Sequence, residues 1–426
     1  MSIKQADIII IGSGMAGLYS AYNIKKTSPS TSFLVLEKYK KDWIGGRTSN
    51  EMFYGTEIVT GAGIGRKKKD KLLIQLMEDL DVKFSEFDFD PIIANTVHNP
   101  INIKKAFEIL KKKPIKCNET FEDFAEKILG EDVYENFLIT NGYTDYENDD
   151  AFDVIENYGL EDNYCCWKGL NVPWKKLVLT LAHKIGMNNI RFSCNATKIF
   201  TFLNANTNTN TNTNAINNNC DIYDYCVETD NNISFYCNKI IVATTITGIK
   251  TLFPRHKIYD QIGSQPFLRL YAKFSKSSVP VLKEFIKGYT IVPGPLQKII
   301  PIDQNKGIYM IAYSDNKNAE NLKKHISDTE DNRDMFALLV EKSLGIPVNS
   351  LKINALKDFY WPVGTHYYKP LDIKMYCDRD EFIYRAQHPE PNIIVVGEVV
   401  SSNQGWTEGA LESVKKTLTK SWLHYH

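Results

Sequence analysis

The chain has 426 residues, of which 43% are hydrophobic and 24% are charged, a composition that is ordinary for a globular enzyme. These values exclude a disordered, collagenous or coiled-coil protein, and the length allows about two or three domains. Lys and Arg together number 51, as do Asp and Glu, so the formal net charge is zero. Proteins that bind nucleic acid through bulk charge are basic, so we expect no nucleic-acid partner.

The first elements form the pattern of a βαβ unit. Residues 6–11 end in four consecutive isoleucines, which is typical of a strand buried on both faces. Glycines follow, then a helical segment to about Lys26, and 33–37 is predicted to be a second strand. The uncharged stretch 8–24 mimics a signal peptide, but the glycines inside it favour a strand that leads into a helix.

Further elements follow along the whole chain. Helical spacing occurs at 71–81, 121–129, 173–185 and around 330–343, and a helix is expected to begin near Trp406 and Thr407. Strands are expected at 190–203, 222–229, 233–237, 240–244, 267–274, 289–292, 307–313 and 393–397. The Asn-rich tract 204–219 cannot bury a core and is expected to be a disordered loop. Such tracts are typical of AT-rich genomes, which indicates a protist or a large virus that infects one.

The cysteines and the apolar runs indicate the compartment. The eight cysteines form no C-x-x-C pair and no zinc spacing, so we expect free thiols in a reducing compartment and no metal site. No other run approaches the ~20 apolar residues of a membrane span. We therefore expect a cytoplasmic protein without a membrane anchor.

The turn after the first strand carries a dinucleotide fingerprint. It reads Gly12-Ser13-Gly14-Met15-Ala16-Gly17, which matches G-x-G-x-x-G. These glycines allow a tight turn and close approach of the backbone to a pyrophosphate at the positive end of the helix dipole. Glu37, followed by Lys38, ends the second strand, where a carboxylate accepts hydrogen bonds from a ribose and repels a 2′-phosphate.

Two further motifs indicate FAD. Gly45-Gly46-Arg47 follows Glu37 by eight residues and adds a second backbone approach and a cation for phosphate. Together these motifs resemble the flavin-containing amine oxidase family of monoamine, polyamine and L-amino-acid oxidases. Near the other end, Gly397-Glu398 and Gly405-Trp406-Thr407 resemble the closing motif of that family. The resemblance covers nearly the whole chain and is most specific at the two ends.

The resemblance implies an α/β fold in which a Rossmann-like FAD-binding domain is interleaved with an α+β substrate-binding domain on a mixed sheet. The FAD-binding domain would comprise 1–75, 185–255 and 385–426, and the substrate-binding domain 76–184 and 256–384. Covalent family members carry a cysteine near the segment that corresponds to 361–369. This segment has none here, so we expect FAD to be bound non-covalently.

The resemblance also implies roles on the substrate side. Trp406 would stand on the substrate side of the flavin ring, with Tyr367 or Tyr368 as a second aromatic wall. Many family members place a lysine below flavin N5 in a strand that reads Lys-Ile-Phe-Leu. The best match here, Arg269-Leu-Tyr-Ala-Lys273, puts Arg269 at that position, and a four-residue slip would put Lys273 there.

The segment Gly61-Ala62-Gly63-Ile64-Gly65-Arg66 is similar to the family strand near the flavin. Polyamine oxidases carry an acid where the alignment puts Arg66, and amino-acid oxidases carry an arginine two residues earlier, so neither pattern matches. Arg66 is therefore either a substrate-binding residue or a surface charge beside Lys67 to Lys69.

The leading hypothesis is an FAD-dependent amine oxidase, with an amine-like small molecule as electron donor and O2 as acceptor. No second G-x-G-x-x-G follows a strand, which favours O2 over a nicotinamide. The alternatives are an oxidase or desaturase that acts on a non-amine substrate, and a flavoprotein with a structural or binding role. A homodimer is one option for the oligomeric state.

Overall fold

The structure is a computed structural model, and it describes residues 4–163, 166–202 and 223–424. The Asn-rich tract lies outside the described residues. The described strands are β1 (Ile8–Ile11), β2 (Phe33–Leu36), β3 (Asn50–Phe53), β4 (Thr56–Val59), β5 (Gly65–Arg66), β6 (Ser85–Phe89), β7 (Ile92–Ile93), β8 (Trp167–Asn171), β9 (Ile190–Arg191), β10 (Ala196–Thr201), β11 (Tyr225–Thr229), β12 (Ser234–Cys237), β13 (Lys239–Val242), β14 (Ile262–Phe274), β15 (Thr290–Ile291), β16 (Lys298–Asp303), β17 (Ile308–Asp315), β18 (Ile353–Tyr368) and β19 (Ile393–Val395).

The described α-helices are α1 (Met15–Thr27), α2 (Lys71–Asp79), α3 (Ile103–Leu110), α4 (Phe121–Leu129), α5 (Glu131–Asn141), α6 (Ala151–Glu156), α7 (Trp174–Ile185), α8 (Ile246–Leu252), α9 (Val279–Phe285), α10 (Asn316–Leu322), α11 (Glu330–Leu344), α12 (Arg379–Gln387), α13 (Thr407–Thr417) and α14 (Lys420–His424). None of them is long and apolar enough to cross a bilayer.

A five-stranded parallel sheet carries the glycine-rich turn. Its order is β19-β13-β1-β2-β9, and β1 lies at its centre between β13 and β2. All four residues of β1, β2 and β13 are buried, because helices or a further sheet cover both faces. This topology confirms the expected Rossmann-like arrangement.

The two faces of this sheet form separate cores. On one face, α1, α7 and α13 pack together. On the other face lie β11, β12, α8 and α12. The domain boundary expected between 184 and 185 falls at the end of α7, a helix that packs on the five-stranded sheet.

A six-stranded mixed sheet forms the second half of the molecule. Its order is β18-β14-β17-β16-β15-β7, and α11 packs on one face through Phe336 and Val340. β18 is not among the strands predicted from the sequence. Pro362 and Gly364 lie within it, and such residues normally interrupt a strand. In the structure both lie where the register of β14 and β18 shifts between Gln265 and Phe267, and an irregularity of this kind accommodates a proline.

The cysteines depart from one expectation. Cys117, Cys194, Cys237 and Cys377 are free thiols, as expected. Cys166 is disulfide-bonded, so the expectation of free thiols does not hold at that position. Within the described residues, no group of His, Cys, Asp and Glu is arranged to hold a metal ion.

Candidate dinucleotide and substrate site

The three glycines of the fingerprint are required for different structural reasons. A Cβ on Gly12, whose φ is 106°, would lie 2.4 Å from the Ala243 carbonyl oxygen, and one on Gly17 would lie 2.0 Å from the Gly12 carbonyl oxygen. Both glycines are therefore required by the contact of β1, α1 and β13. A Cβ on Gly14 would meet no atom within 4 Å. Gly14 thus faces open space, as a residue that approaches a ligand should.

The second glycine pair joins the first turn directly. Gly45 forms an isolated parallel bridge with Gly14 and donates its N–H to the Ser13 carbonyl at 3.0 Å. Gly45 and Gly46 have φ values of 97° and 59°, which favour glycine. Gly14 is the N-cap of α1 and supplies no side-chain cap, while Met15 and Ala16 begin the helix with buried side chains. The first amides of α1 are thus available to an anionic group.

Glu37 is held at the same turn. It is buried, and its Oε2 accepts hydrogen bonds from Ser13 N (2.8 Å) and Ser13 Oγ (2.7 Å). Its Oε1 accepts from Tyr39 N at 2.9 Å. A carboxylate has about four acceptor positions, so Glu37 keeps capacity for a ribose hydroxyl. Lys38, by contrast, is exposed, with Nζ 4.7 Å from the centre of the Tyr39 ring.

Arg47 and Glu398 bring the two ends of the chain together. Arg47 Nη1 donates to Glu398 Oε1 at 2.8 Å and to the Gly364 carbonyl at 2.7 Å. Glu398 is buried, and its Oε2 accepts from Gly405 N at 3.2 Å. Burial alone would raise the pKa of the Glu398 carboxyl, but His366 and Arg47 outweigh burial and hold this pKa well below its usual range.

His366 is a site residue that the sequence analysis missed. Its Nδ1 lies 2.5 Å from Glu398 Oε1, and its Nε2 accepts from the backbone N–H of Ile246 at 3.1 Å. The second contact places the ring proton on Nδ1, where it is donated to Glu398. His366 lies two residues after the segment Trp361-Pro-Val-Gly364. No local pattern in the sequence, however, indicates that it pairs with an acid 32 positions away.

Gly397 and Thr407 flank this arrangement. Gly397 has a φ of 126° and donates its N–H to Ser413 Oγ at 2.8 Å, which ties the end of β19 to α13. Thr407 is the first residue of α13, and Trp406 is its N-cap. The closing motif therefore forms a helix N-terminus next to the buried Glu398.

The Gly61–Gly63 segment separates Arg47 from Arg269. A Cβ on Gly61 would lie 2.1 Å from the Arg47 carbonyl oxygen, and Ala62 N donates to that oxygen at 2.7 Å. On the other side, Arg269 Nε donates to the Gly61 carbonyl at 2.7 Å. A Cβ on Gly63 would lie 2.8 Å from Arg269 Nη2. The glycines thus let the guanidinium lie against the backbone.

The two candidates on β14 lie in different surroundings. Arg269 is buried beside the Gly61–Gly63 segment. Lys273 is further along the strand, where its Nζ contacts the carbonyl oxygens of Phe274 and Lys306. A four-residue offset corresponds to roughly 13 Å along a strand. The structure therefore places Arg269, and not Lys273, next to the glycine segment.

The two tyrosine candidates lie on opposite sides of β18. Tyr368 is buried in the core with β11 and α12, and its hydroxyl donates to the Ser401 carbonyl at 3.0 Å. Tyr367 packs over Gly263 and lines a separate cavity of about 520 Å³ with Ile246 and Lys250. The structure does not bring either ring into contact with Trp406.

Arg66 lies on the Trp406 ring and is not a surface charge. Its guanidinium carbon lies 3.8 Å from the centre of the ring, and the residue is 4% exposed. It forms ion pairs with Asp70 at 2.7 Å and with Asp162 at 2.8 Å. The surface alternative was therefore wrong, because a three-residue basic run next to Arg66 does not reveal the acids that tertiary packing brings to it.

Three tyrosine side chains near Arg269 lie deep in the fold but are not fully packed. Burial raises the pKa of the Tyr143, Tyr289 and Tyr313 hydroxyls, yet all three residues keep partly accessible surface. We infer that they border an interior space, and this space is called the internal cavity below. Tyr289 donates to the Tyr143 hydroxyl at 3.1 Å, and the Tyr313 ring lies 4.0 Å from the Arg269 guanidinium carbon.

Comparison with solved structures identifies the fold. The fold is that of the FAD-dependent amine oxidases, and the open face of Gly14, the uncapped α1 and Arg47 fit the pyrophosphate of such a dinucleotide. A variant of putrescine oxidase superposes with a TM-score of 0.71 at 12% identity, covering 97% of this chain and 98% of that one. Wild-type putrescine oxidase with bound putrescine gives 0.69 at 13% identity and the same coverage.

Two further similarities extend over the whole chain. A candidate protoporphyrinogen oxidase from Exiguobacterium sp. 255-15 gives a TM-score of 0.67 at 14% identity, covering 99% of both chains. An uncharacterized protein of Acanthamoeba polyphaga mimivirus is 20% identical over 487 aligned positions, covering 98% of this chain and 94% of that protein. No protein-family profile matches the chain.

Proposed function

We propose that this protein is an FAD-dependent oxidoreductase that oxidises a C–N bond of an amine. The observation that carries the proposal is the hydrogen-bonded ion pair between Arg47 and Glu398, which are 351 positions apart. The pair joins the Gly-Gly-Arg motif near one end of the chain to the closing motif near the other. The structural likeness to putrescine oxidase supports a flavin at this junction.

The residues that would hold FAD are those that surround the two glycine turns. Gly14, Gly45, Gly46 and the first amides of α1 would bind the pyrophosphate, and Glu37 the ribose. Bound FAD supplies a two-electron acceptor for the hydride that leaves the carbon next to nitrogen. The overall reaction would convert an amine, O2 and water into an aldehyde or keto acid, ammonia or a smaller amine, and H2O2.

The chain's own residues would orient and desolvate the substrate. Trp406 stands at the N-terminus of α13, and the three tyrosines of the internal cavity enclose the space beside Arg269. A bound substrate that displaces water from this space would strengthen its electrostatic interactions with these residues.

A second candidate function is oxidation of a non-amine substrate. It is favoured by Arg269, because a guanidinium stays charged and cannot accept a proton as a lysine amine can. The likeness to the Exiguobacterium protein is in line with that alternative.

Anaerobic mixing of the purified protein with amines, amino acids and lipophilic alcohols distinguishes these functions. If the amine oxidase proposal is correct, an amine or amino acid reduces the flavin and bleaches its visible absorbance. Addition of O2 then restores this absorbance and releases H2O2. Bleaching by alcohols alone would support the second candidate. Bound FAD that no donor reduces would support a binding role instead.

A further inference from the structure

Arg269 is a buried cation without a carboxylate partner. The residue is 5% exposed, and within the described residues no Asp or Glu oxygen lies within 4.0 Å of its guanidinium. Its hydrogen-bonding contacts include the Gly61 carbonyl at 2.7 Å, the Met310 sulfur at 3.6 Å and the side chain of Tyr271. Buried charges in proteins are normally paired, because the cost of leaving water is otherwise uncompensated.

A second cation, Lys298, shares the same tyrosine ring. Its Nζ lies 4.4 Å from the centre of the Tyr313 ring and 3.3 Å from that of Tyr143, and it donates to the Gly142 carbonyl. Lys298 is fully buried. Burial lowers the pKa of its ammonium, and the charge of Arg269 adds to this, whereas Asp315 and Asp145 oppose it.

Two acids near this ring, Asp315 and Asp145, act on the pKa of Lys298, and neither forms an ion pair with Arg269. Asp315 is the acid that acts most strongly on Lys298, and it is held by Thr144 and by Gln297 Nε2 at 2.9 Å. Burial and the charge of Asp315 raise the pKa of Asp145, so this second acid is readily protonated. Tyrosines are the main neighbours that act on the pKa of Arg269, and no described Asp or Glu forms an ion pair with its guanidinium. Arg269 therefore keeps its positive charge beside the cavity with no carboxylate in contact.

We propose that Arg269 binds an anionic group of the substrate, a carboxylate, at the wall of the cavity formed by Tyr143, Tyr289 and Tyr313. This inference rests on the proposed function and narrows its substrate class to amines that also carry a carboxylate. A guanidinium offers paired donors that match a carboxylate, and Tyr313 holds its plane from one side. A polycationic amine would meet an uncompensated positive charge instead.

The test compares two ligands of equal size and opposite charge. Benzoate and benzylamine are titrated into the purified flavoprotein, and binding is measured by calorimetry, which needs no turnover. We expect wild type to bind benzoate at least tenfold more tightly than benzylamine. We expect benzoate affinity to weaken as salt is increased, although less than for an exposed charge, because Arg269 is buried.

Three variants separate a charge effect from a structural one. Arg269→Met should weaken benzoate binding at least tenfold, and Arg269→Lys should weaken it less because the charge remains. Lys273→Met removes a cation from the same strand but far from the cavity, and should leave the benzoate dissociation constant unchanged. If Arg269→Met proves unstable, the comparison of Arg269→Lys with Lys273→Met decides the matter.

Several outcomes would overturn the inference. Benzoate that fails to bind wild type, or binds Arg269→Met as tightly as Lys273→Met, would do so. Unchanged benzoate affinity together with a lowered flavin midpoint potential in Arg269→Met would assign the arginine to the cofactor. A protein that purifies without FAD would contradict the proposed function, while the calorimetric titration would still decide whether Arg269 binds the carboxylate.

Discussion

Glu398 is held by three different parts of the chain: the Arg47 side chain, the His366 ring and the Gly405 amide. Its folded pKa lies below the ordinary value of 4.5, because these partners favour the carboxylate. Between these two pKa values the unfolded chain binds a proton that the folded chain does not. The stabilisation is therefore complete above about pH 4.5 and is lost as the pH falls.

We expect Glu398→Gln to lower the free energy of unfolding by about 3 kcal/mol at pH 7, the low end for a broken buried pair, because Arg47 keeps contact with solvent. Urea unfolding at several pH values checks this, and the difference from wild type should shrink below about pH 4.5. Glu381→Gln breaks an exposed pair with Arg385 and is the control, with an expected loss much smaller than that of Glu398→Gln. An equal loss at pH 4 and pH 7 would contradict the prediction.

Arg66 supports a second prediction at the scale of single residues. Arg66→Met would leave the buried Asp70, which is 1% exposed, without its cation, whereas Asp162 would keep its ion pair with Lys69 at 2.9 Å. We expect a loss of about 3–5 kcal/mol at pH 7. Burial already raises the pKa of Asp70, and loss of Arg66 raises it further, so the variant should regain stability as the pH falls and the acid is protonated.

A double-mutant cycle tests the Arg66 pair. The combined Arg66→Met, Asp70→Asn variant should recover part of the loss, because the orphaned charge is removed. Lys68→Met, at an exposed position of the same basic run, is the control and should change stability by less than about 0.5 kcal/mol. No coupling between positions 66 and 70 would mean that the pair does not stabilise the fold.

At the scale of elements, the turn from β1 to α1 separates two functions of glycine. Gly12 and Gly17 are required by protein contacts, whereas Gly14 faces open space. Gly14 has a φ of −70°, which any residue can adopt. Stability and cofactor binding should therefore respond differently to substitution at these positions.

We expect Gly17→Ala to destabilise the protein by about 1–3 kcal/mol, because its Cβ would lie 2.0 Å from the Gly12 carbonyl oxygen and α1 must shift. In the absence of FAD, the free energy of unfolding of Gly14→Ala should equal that of wild type within about 0.5 kcal/mol. It should nevertheless bind FAD at least tenfold more weakly, since the methyl group occupies the open face. Urea unfolding and FAD titration together check both variants, and FAD binding by Gly14→Ala with wild-type affinity would contradict the assignment of this turn.

At the scale of the whole molecule, the flavin is expected to be held without a covalent bond. The segment 361–369 belongs to β18 and has no cysteine. Cys194 and Cys237 pack in the core that contains β11, β12, α8 and α12, Cys226 is buried in β11, and Cys117 and Cys377 are exposed. Acid precipitation should therefore release yellow cofactor into the supernatant, as measured by its absorbance. A yellow pellet after washing would show a covalent link.

Local patterns in the sequence were sufficient for the βαβ unit, the glycine turns, Glu37 and the closing motif. These features are encoded by residues that are close in sequence. An apolar run indicates a buried strand, and glycines mark positions where the backbone conformation or a close contact excludes a Cβ. The same reasoning failed for β18, because a proline and a glycine indicate a break unless the partner strand has an irregular register at that position.

Tertiary structure alone decided which charges are compensated. Arg66 reaches Asp162 across 96 positions, Arg269 contacts Gly61 across 208, and Arg47 contacts Glu398 across 351. No periodicity or motif encodes such contacts, because they arise only when distant segments pack together and exclude water. Arg66 meets a carboxylate, whereas Arg269 meets none among the residues that the structure describes. This difference is therefore a property of the folded chain, and our inference about the substrate rests on it.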